Sequence, residues 1–586
     1  MANLISFGEY RPDVADYQGQ HTKDATNVVP QGDGYGPFPS FAAFSSALPG
    51  QCRGFFYALK NDGTIAVFAA TSTNLYLLNS ATQAWTNVSK GGGPYTALSS
   101  TAQWDFEQFN NFILATQVNV PVQVYDLTAS SAFADLGGSP PQAAYITVVN
   151  QFVVLSGLAS PNVYRVQWSG NGSVTSWTAG INQSDFQDLA DGGICRGVSG
   201  GDVFGLIFQD RMIRRMTYAP GSPYIFGIDK IAQGEGLYAP YSIINSDVGI
   251  FYLSTQGFKM WNPGANPTPI GKERVDRTFF NNVDTSNLQL IIGCADPTKT
   301  RVYWAYKSQQ QAQTMFDTIL CYDWVLDRWS SITTTGEYFA PLAAPGLTLE
   351  QTDAAFGVQP SVAVSSITTS TSALVVNASN HGMSIGQGIY FGTNVVGLTA
   401  ATPYYISSTS FTTNSFKISA AGGVGALQGA LVGTTSSATT TSSSAITFQQ
   451  GDIDTLNLGS FDSISIAQLP AIAAVDANHK AGFFNGPTLQ ATLESAEHGD
   501  SMRRIFISGF RPITDAPKAN IFGSLSEREA EENASTYTTE QITNAVGIIP
   551  CRATTRYARA KIRITAASTW TFAAGIEPII SLEGQR

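Results

Sequence analysis

The sequence predicts an all-β fold: a β-propeller that carries an inserted small β domain and ends in a β-sandwich-like platform. Three observations predict it. Apolar, strand-like runs recur at about 40 to 50 residues, the period of four-stranded propeller blades. The runs are joined by hairpin turn residues such as Asn61-Asp62-Gly63. The composition holds 55 Gly, 27 Pro, 34 Phe and 23 Tyr. Such residues set turns and cover pleated, half-buried surfaces.

The segments follow in order. Residues 1–50 read as an extended arm packing on the platform, because Pro12, Pro30, Pro37, Pro39 and Pro49 disfavour helix and Gly32, Gly34 and Gly36 lie between them. Residues 51–360 read as propeller blades, with six units discernible. The first has Gly54–Leu59, Ile65–Ala69 and Asn74–Leu78 and closes near Trp85; the second has Trp104–Phe109 and Phe112–Thr116. The third holds Phe152–Leu155, the fourth Val203–Phe208, the fifth Val248–Leu253, and the sixth Arg301–Tyr306, closing on Trp329. A single blade cannot bury its apolar faces, and radial stacking solves that. Residues 361–448 break the pattern. They are rich in Ser, Thr, Ala and Gly, Lys417 is their only Asp, Glu, Lys or Arg, and they read as an inserted β domain with strands near 373–376, 388–391, 404–406 and 416–418. A flexible low-complexity linker is the competing reading. Residues 449–485, with Ser463–Ile466 and Lys480–Phe484, continue the last blade. Residues 486–586 form the platform, with strands at 505–508 and 559–564 and a polar loop or short helix over Ser526–Ala534.

The net charge of −11 argues against gripping nucleic acid through its phosphates. It is compatible with a surface that DNA must pass without sticking. The five cysteines lie far apart and signal neither zinc nor a disulfide framework. No signal peptide and no run long enough to span a bilayer is read. Gly197-Val198-Ser199-Gly200-Gly201 matches a nucleophile elbow, but strand-like residues follow it where a helix is required, so it reads as a hairpin turn. His21, His381, His479 and His498 are not at metal-ligand spacing. Gly271-Lys272 is followed by Glu273, which fails as a phosphate loop, and the Gly-rich stretches at 32–36 and 386–388 do not join a strand to a helix. No catalytic, cofactor or metal residue is expected, and the chain does not read as an enzyme. Paired carboxylates for glycoside cleavage meet only in space and leave no spacing to read. Arg552, Arg556, Arg559, Lys561 and Arg563 cluster near the end, as a solvated strand face or as platform and subunit contacts. Gly234-Glu235-Gly236 reads as a tight turn.

Gly234-Glu235-Gly236-Leu237-Tyr238-Ala239-Pro240-Tyr241 leads to Gly249–Phe258, then Pro269-Ile270-Gly271 and Arg274-Val275-Asp276-Arg277. This run resembles the central blades of the tail nozzle, or tubular protein B, of short-tailed phages, and of the related packaged-DNA-stabilisation tail hub. Arg556–Ile562 with Trp570 and Gly575-Ile576-Glu577 resembles the end of the same proteins, and His381-Gly382 with Gly386-Gln387-Gly388 resembles small β inserts of phage tail proteins. The resemblance implies a structural protein of the virion tail, a homohexameric tube that conducts and retains phage DNA without sequence readout. It implies docking of the platform on the tail adaptor ring, with tail fibres or spikes and the host cell surface as further partners, and no cofactor. The alternative is a propeller-type glycan-binding or glycan-cleaving tail protein, a monomer or trimer with a pocket of clustered carboxylates.

Overall fold

The computed structural model of the chain describes residues 4–343 except 16–18 and 81, most of 362–420, strands 439–441 and 447–450, and 469–582 except 500, 501, 531 and 532. The chain forms two compact units, one of residues 1–78, 84–344 and 469–586, the other of 79–83 and 345–468.

The first unit contains a β-propeller with seven blades among the described residues: the six units read in the sequence and the last blade that the insert interrupts. Blades one to five are consecutive four-stranded antiparallel meanders whose inner strands are Gly54–Leu59, Asp105–Phe109, Ala143–Val149, Cys195–Ser199 and Ile244–Ser246. Blade six starts at Ile292–Ala295. Blade seven is composite. Its inner strand Tyr338–Leu342 pairs with Ala471–Val475, which pairs with Lys480–Thr488, and the outer place is taken by Pro39–Ala47 from the N-terminus. The arm expected over residues 1–50 is therefore partly a blade strand. Pro39 is tolerated because it is the first residue of that strand, where a missing N–H costs least.

The second strand of each blade is apolar on both faces because each face meets a different neighbour. In blade one, Phe68 and Ala70 join a core with Trp104, Ile113 and Ala115 of blade two. The alternate residues Val67 and Ala69 join one with Leu342, Val475 and Phe483 of blade seven. The same two-residue period sends Leu114 to blade three and splits Val153 and Val154 between blades two and four. Indole N–H groups tie neighbours together: Trp104 Nε1 donates to the carbonyl of Thr71 and Trp304 Nε1 to that of Ser242, both at 3.0 Å.

The platform consists of two sheets. One has the order Val28–Gln31, Gly34–Pro37, Ala573–Leu582, Ile505–Thr514, Ala553–Thr555, with the short strand Ile5–Ser6 also on Ala573–Leu582. The other runs Thr22–Thr26, Ala491–Ser495, Tyr557–Ile564, Ile521–Arg528 and continues blade six through a parallel pairing of Thr26 with Ser331. Between them Tyr35, Phe510, Ile521, Ile562, Trp570 and Ile576 share a core that is contiguous with Phe258, Trp304 and Trp329 of blades five and six. The loop or helix expected at Ser526–Ala534 begins instead as strand, because Ser526, Glu527 and Arg528 pair in register with Arg559, Ala558 and Tyr557.

The second unit is an eight-stranded antiparallel sheet around Ile367, Leu374, Val376, Ile389, Phe391 and Phe416. Its apolar side chains build a core of their own, so the Ser/Thr-rich insert is a β domain and not a linker. His381 is buried there, with Nε2 2.7 Å from the carbonyl oxygen of Thr412 and its ring edge-on to Phe416. The chain departs for this unit after Leu342 and resumes at Ala471, inside blade seven. The strand expected at Ser463–Ile466 lies outside the described residues.

The ring closure is testable at Gly482. A Cβ there would stand 2.3 Å from the carbonyl oxygen of Ala42. Gly482→Val is expected to push the N-terminal strand off blade seven and cost about 3 kcal/mol. The checks are a lower melting temperature and earlier tryptic cleavage in the first fifty residues.

Candidate functional site: the axial cavity

The inner strands of all seven blades converge on one cavity of about 260 Å³. Phe56 of blade one, Asp105 and Glu107 of blade two, Thr147 of blade three, Ser199 of blade four and Asn245 of blade five stand around it. Gly293 keeps blade six close, since a Cβ there would fall 2.5 Å from Ile244.

Asp105 and Glu107 are two apart on one strand, so both carboxyls face the cavity. Asp105 Oδ2 accepts the Ile146 N–H at 2.9 Å, and Glu107 Oε1 accepts the Gln108 N–H at 3.1 Å. Thr147 Oγ1 donates to Glu107 Oε2 at 3.4 Å. Burial pushes Asp105 up to about 7, and burial together with the Asp105 charge pushes Glu107 up to about 8. Both residues keep some accessible area, but it opens on the cavity, so its walls set their environment. Tyr145 and Tyr241 meet edge-on at 6.0 Å between ring centres, and burial holds both phenols protonated. The Tyr241 hydroxyl accepts the Gln103 N–H at 2.8 Å. Near neutral pH the carboxyl pair straddles its protonation range, so it can donate or accept a proton or a hydrogen bond.

Ser199 of the Gly-x-Ser-x-Gly motif is the last residue of an inner strand, and the turn follows it. Its hydroxyl is bonded to Asn245 Oδ1, and no histidine lines the cavity. The motif therefore shapes the wall and does not assemble a nucleophile. Among the described residues no group of His, Cys, Asp and Glu could hold a metal ion.

The basic cluster lies elsewhere, in the platform. Arg559, Lys561 and Arg563 alternate along the strand Tyr557–Ile564 and share one face. Arg559 is buried, with Nε 3.2 Å from Glu494 Oε1. Lys561 stands over the Tyr537 ring. Arg563 pairs with both oxygens of Glu540 at 2.9 and 2.6 Å and covers Phe522. Arg556 lies 3.9 Å from Glu529, and Arg552 is exposed beside the strand Ala553–Thr555. The carboxylates that neutralise this cluster come from other strands and loops of the same chain, and sequence spacing could not show them.

The glycine-rich run around Gly234 and Gly271 is also structural. Glu235 and Lys259 form a buried ion pair, and Asp276 accepts the Phe258 N–H at 3.1 Å. Gly257 and Gly271 are obligatory beside that carboxylate, since a Cβ at either would come within 2.1 Å of it. Asp13 from the N-terminal segment accepts the N–H groups of Arg277 and Thr278 at 2.8 and 2.7 Å, opening the helix Asp276–Asn282. Arg274 bridges Glu9 at 3.0 Å and Asp327 at 2.5 Å. These residues clasp the N-terminus to blades five and six.

No family model and no curated protein matches the sequence. Solved structures with similar folds include YCF48 bound to D1 peptide, with a TM-score of 0.31 and 11% identity over 52% of this chain and 91% of that one. The WD40 repeats of RRP9 give 0.32 and 6% over 58% and 92%. The extracellular domain of the one-component system BT4673 from B. thetaiotaomicron gives 0.31 and 10% over 68% and 47%. Similarity at this level says nothing about function.

The raised carboxyls give a signed pH dependence. Unfolded, both groups ionise near 4; folded, they keep their protons to about 7 and 8. The folded chain binds more protons in between, so their stabilising contribution, full below about pH 4, is lost as pH rises through 7 to 8. Asp105→Asn with Glu107→Gln cannot ionise and is expected to gain on the order of 1 kcal/mol or more over wild type at pH 8.5 relative to pH 4.5. Parallel stability curves for the two proteins in urea titrations across that range would show that the pair is unperturbed.

In the platform, Glu494→Gln leaves the Arg559 charge buried without its partner. The expected cost is about 3 kcal/mol, read as a lower urea midpoint, whereas Glu540→Gln at the more exposed Arg563 pair is expected to cost under about 1 kcal/mol.

Proposed function

We propose that the chain is a structural subunit of a short-tailed phage tail, a wall element of the nozzle through which DNA passes. The observation that carries this reading is mechanical. One N-terminal segment supplies strands to the platform and the outer strand of blade seven, and blade six shares a continuous sheet with the platform. Propeller and platform are thus welded into one body with a common core, as suits a wall that must hold its shape against internal load. The charge supports the same reading. The chain carries −11, and Arg559 and Arg563 of the platform are engaged by its own glutamates, so in this reading the polymer in the lumen is repelled and not gripped. In this reading the subunit assembles as a homohexamer and meets the tail adaptor ring through the platform.

A second reading, a glycan-binding or glycan-cleaving propeller, is favoured by the Asp105–Glu107 pair in the axial cavity. The cavity's size speaks against it, because about 260 Å³ is below the range of most ligand pockets.

Electron microscopy of the purified full chain, alone and with adaptor rings, separates the two. The tail reading expects sixfold rings or tubes. A protein that stays monomeric in both conditions and cleaves a polysaccharide, with loss of cleavage in Asp105→Asn, establishes the second reading instead.

A further inference from the structure

The axial cavity gathers acidic groups with no cation to balance them. Asp105 and Glu107 both face it, and among the described residues no Lys, Arg or His lines it. What the two carboxyls accept comes from neutral donors: the N–H groups of Ile146 and Gln108 and the Thr147 hydroxyl. The guanidiniums that act on the cavity's tyrosines are committed elsewhere. Arg53 bonds Gln103 Oε1 and the carbonyl oxygens of Ser99 and Ser100, and Arg196 pairs with Asp210. A charged carboxylate held away from water without a counter-charge is costly, and a bound cation recovers that cost.

Two phenols lining the same cavity are also unmet. The Tyr145 and Tyr338 hydroxyls have no hydrogen-bond partner among the described residues, and both feel the charge of Asp105. Burial keeps both protonated. Tyr145 and Thr147 share one face of their strand, as Asp105 and Glu107 share one face of theirs, so each acid has a hydroxyl beside it. Asp105, Glu107, Tyr145 and Tyr338 are half-buried inside a closed ring, and the area they keep opens on the cavity, where an entering molecule can touch it. Asn245, which is exposed, marks the mouth. Among the described residues no group of His, Cys, Asp and Glu could hold a metal ion. A primary ammonium suits the place better. Its three N–H groups match two carboxyls and a hydroxyl oxygen, and aromatic rings favour both its charge and its chain.

We propose that the axial cavity binds a small primary alkylammonium ion, whose N–H groups bond Asp105, Glu107 and the Tyr145 hydroxyl oxygen and whose short chain lies against Phe56 and Tyr338. A volume of about 260 Å³ admits a ligand of that size. The affinity carries a sign in pH. In the free protein the carboxyls keep their protons to about 7 and 8, whereas an alkylamine, like that of lysine, stays charged well above this range. Binding therefore tightens as pH rises through 7 to 8, and below the upper value it releases protons. The proposal stands apart from the tail reading and does not depend on it.

The test titrates the full chain calorimetrically with n-butylammonium chloride at pH 6 and pH 8.5, with 1-butanol as the neutral ligand of equal length and potassium chloride as an inorganic competitor. Saturable binding of one butylammonium at pH 8.5 is expected, about tenfold or more tighter than at pH 6, with no binding of 1-butanol and no displacement by equal potassium. Asp105→Asn with Glu107→Gln is expected to abolish binding, and Tyr145→Phe to weaken it about tenfold. Absence of saturable butylammonium binding to wild type overturns the site. Unchanged affinity in the double variant places the ion on surface carboxylates and overturns it too. Should that variant not fold, equal affinity at the two pH values does the same, because surface carboxylates are already ionised at pH 6. Equal binding of 1-butanol overturns the ionic contact, displacement by equal potassium overturns the organic ligand, and unchanged affinity in Tyr145→Phe overturns the hydroxyl contact.

Discussion

Everything in the first unit depends on the pairing of Pro39–Ala47 with Lys480–Thr488. A propeller leaves no long strand edge only if its ring is closed, and here the closing sheet is assembled from three distant stretches of chain. The contact aligns Phe41 with Phe484 and Ala42 with Phe483. Phe44 stacks on Phe483 at 5.2 Å and Phe38 meets Phe484 at 5.2 Å. These aromatics also line the cores that blade seven shares with blades six and one. Loss of this one strand would open both interfaces.

The same N-terminal segment is fixed a second time by charge. Asp13 caps the helix Asp276–Asn282, while Glu9 takes part in the Arg274 network. Burial pushes Asp276 up to about 6 although it accepts a backbone N–H, which marks how dry this junction is. An apolar zipper at one place and a polar clasp at another hold one segment against two parts of the fold, so register errors at either are opposed by the other.

Six blades were legible because their second strands are continuous apolar runs ended by turns: Ile65–Ala70, Phe112–Thr116 and Phe152–Leu158 can be read locally. The seventh was legible only in part: Lys480–Phe484 reads as a blade strand resuming after the insert, but Tyr338–Leu342 and Ala471–Val475 are short and lie on either side of that insert, and the outer strand Pro39–Ala47 sits among prolines and glycines that signal irregular chain. The axial carboxyls were hidden for a similar reason. Alternating Asp105 and Glu107 look like the solvent face of an ordinary strand, and only ring closure turns that face inward. Ser199 was visible as a motif, but its surroundings were set by Asn245, a blade away. In the basic cluster the arginines were visible and the glutamates opposite them were not, because Glu494 and Glu540 lie on other strands and loops.

The composite blade also imposes an order in time. Ala47 leaves the ribosome 433 residues before its strand neighbour Lys480. At ordinary rates of synthesis the interval is on the order of a minute. During it, six blades can form while the flanks of the first and sixth stay uncovered. Phe55 and Val67 on one side and Tyr303 and Ile319 on the other then face water as sticky surfaces. The insert lengthens that exposure, since residues 345–468 are translated before the strand partners of Tyr338–Leu342 arrive. The step most open to aggregation in the life of this protein is therefore the wait for these two distant strands to meet.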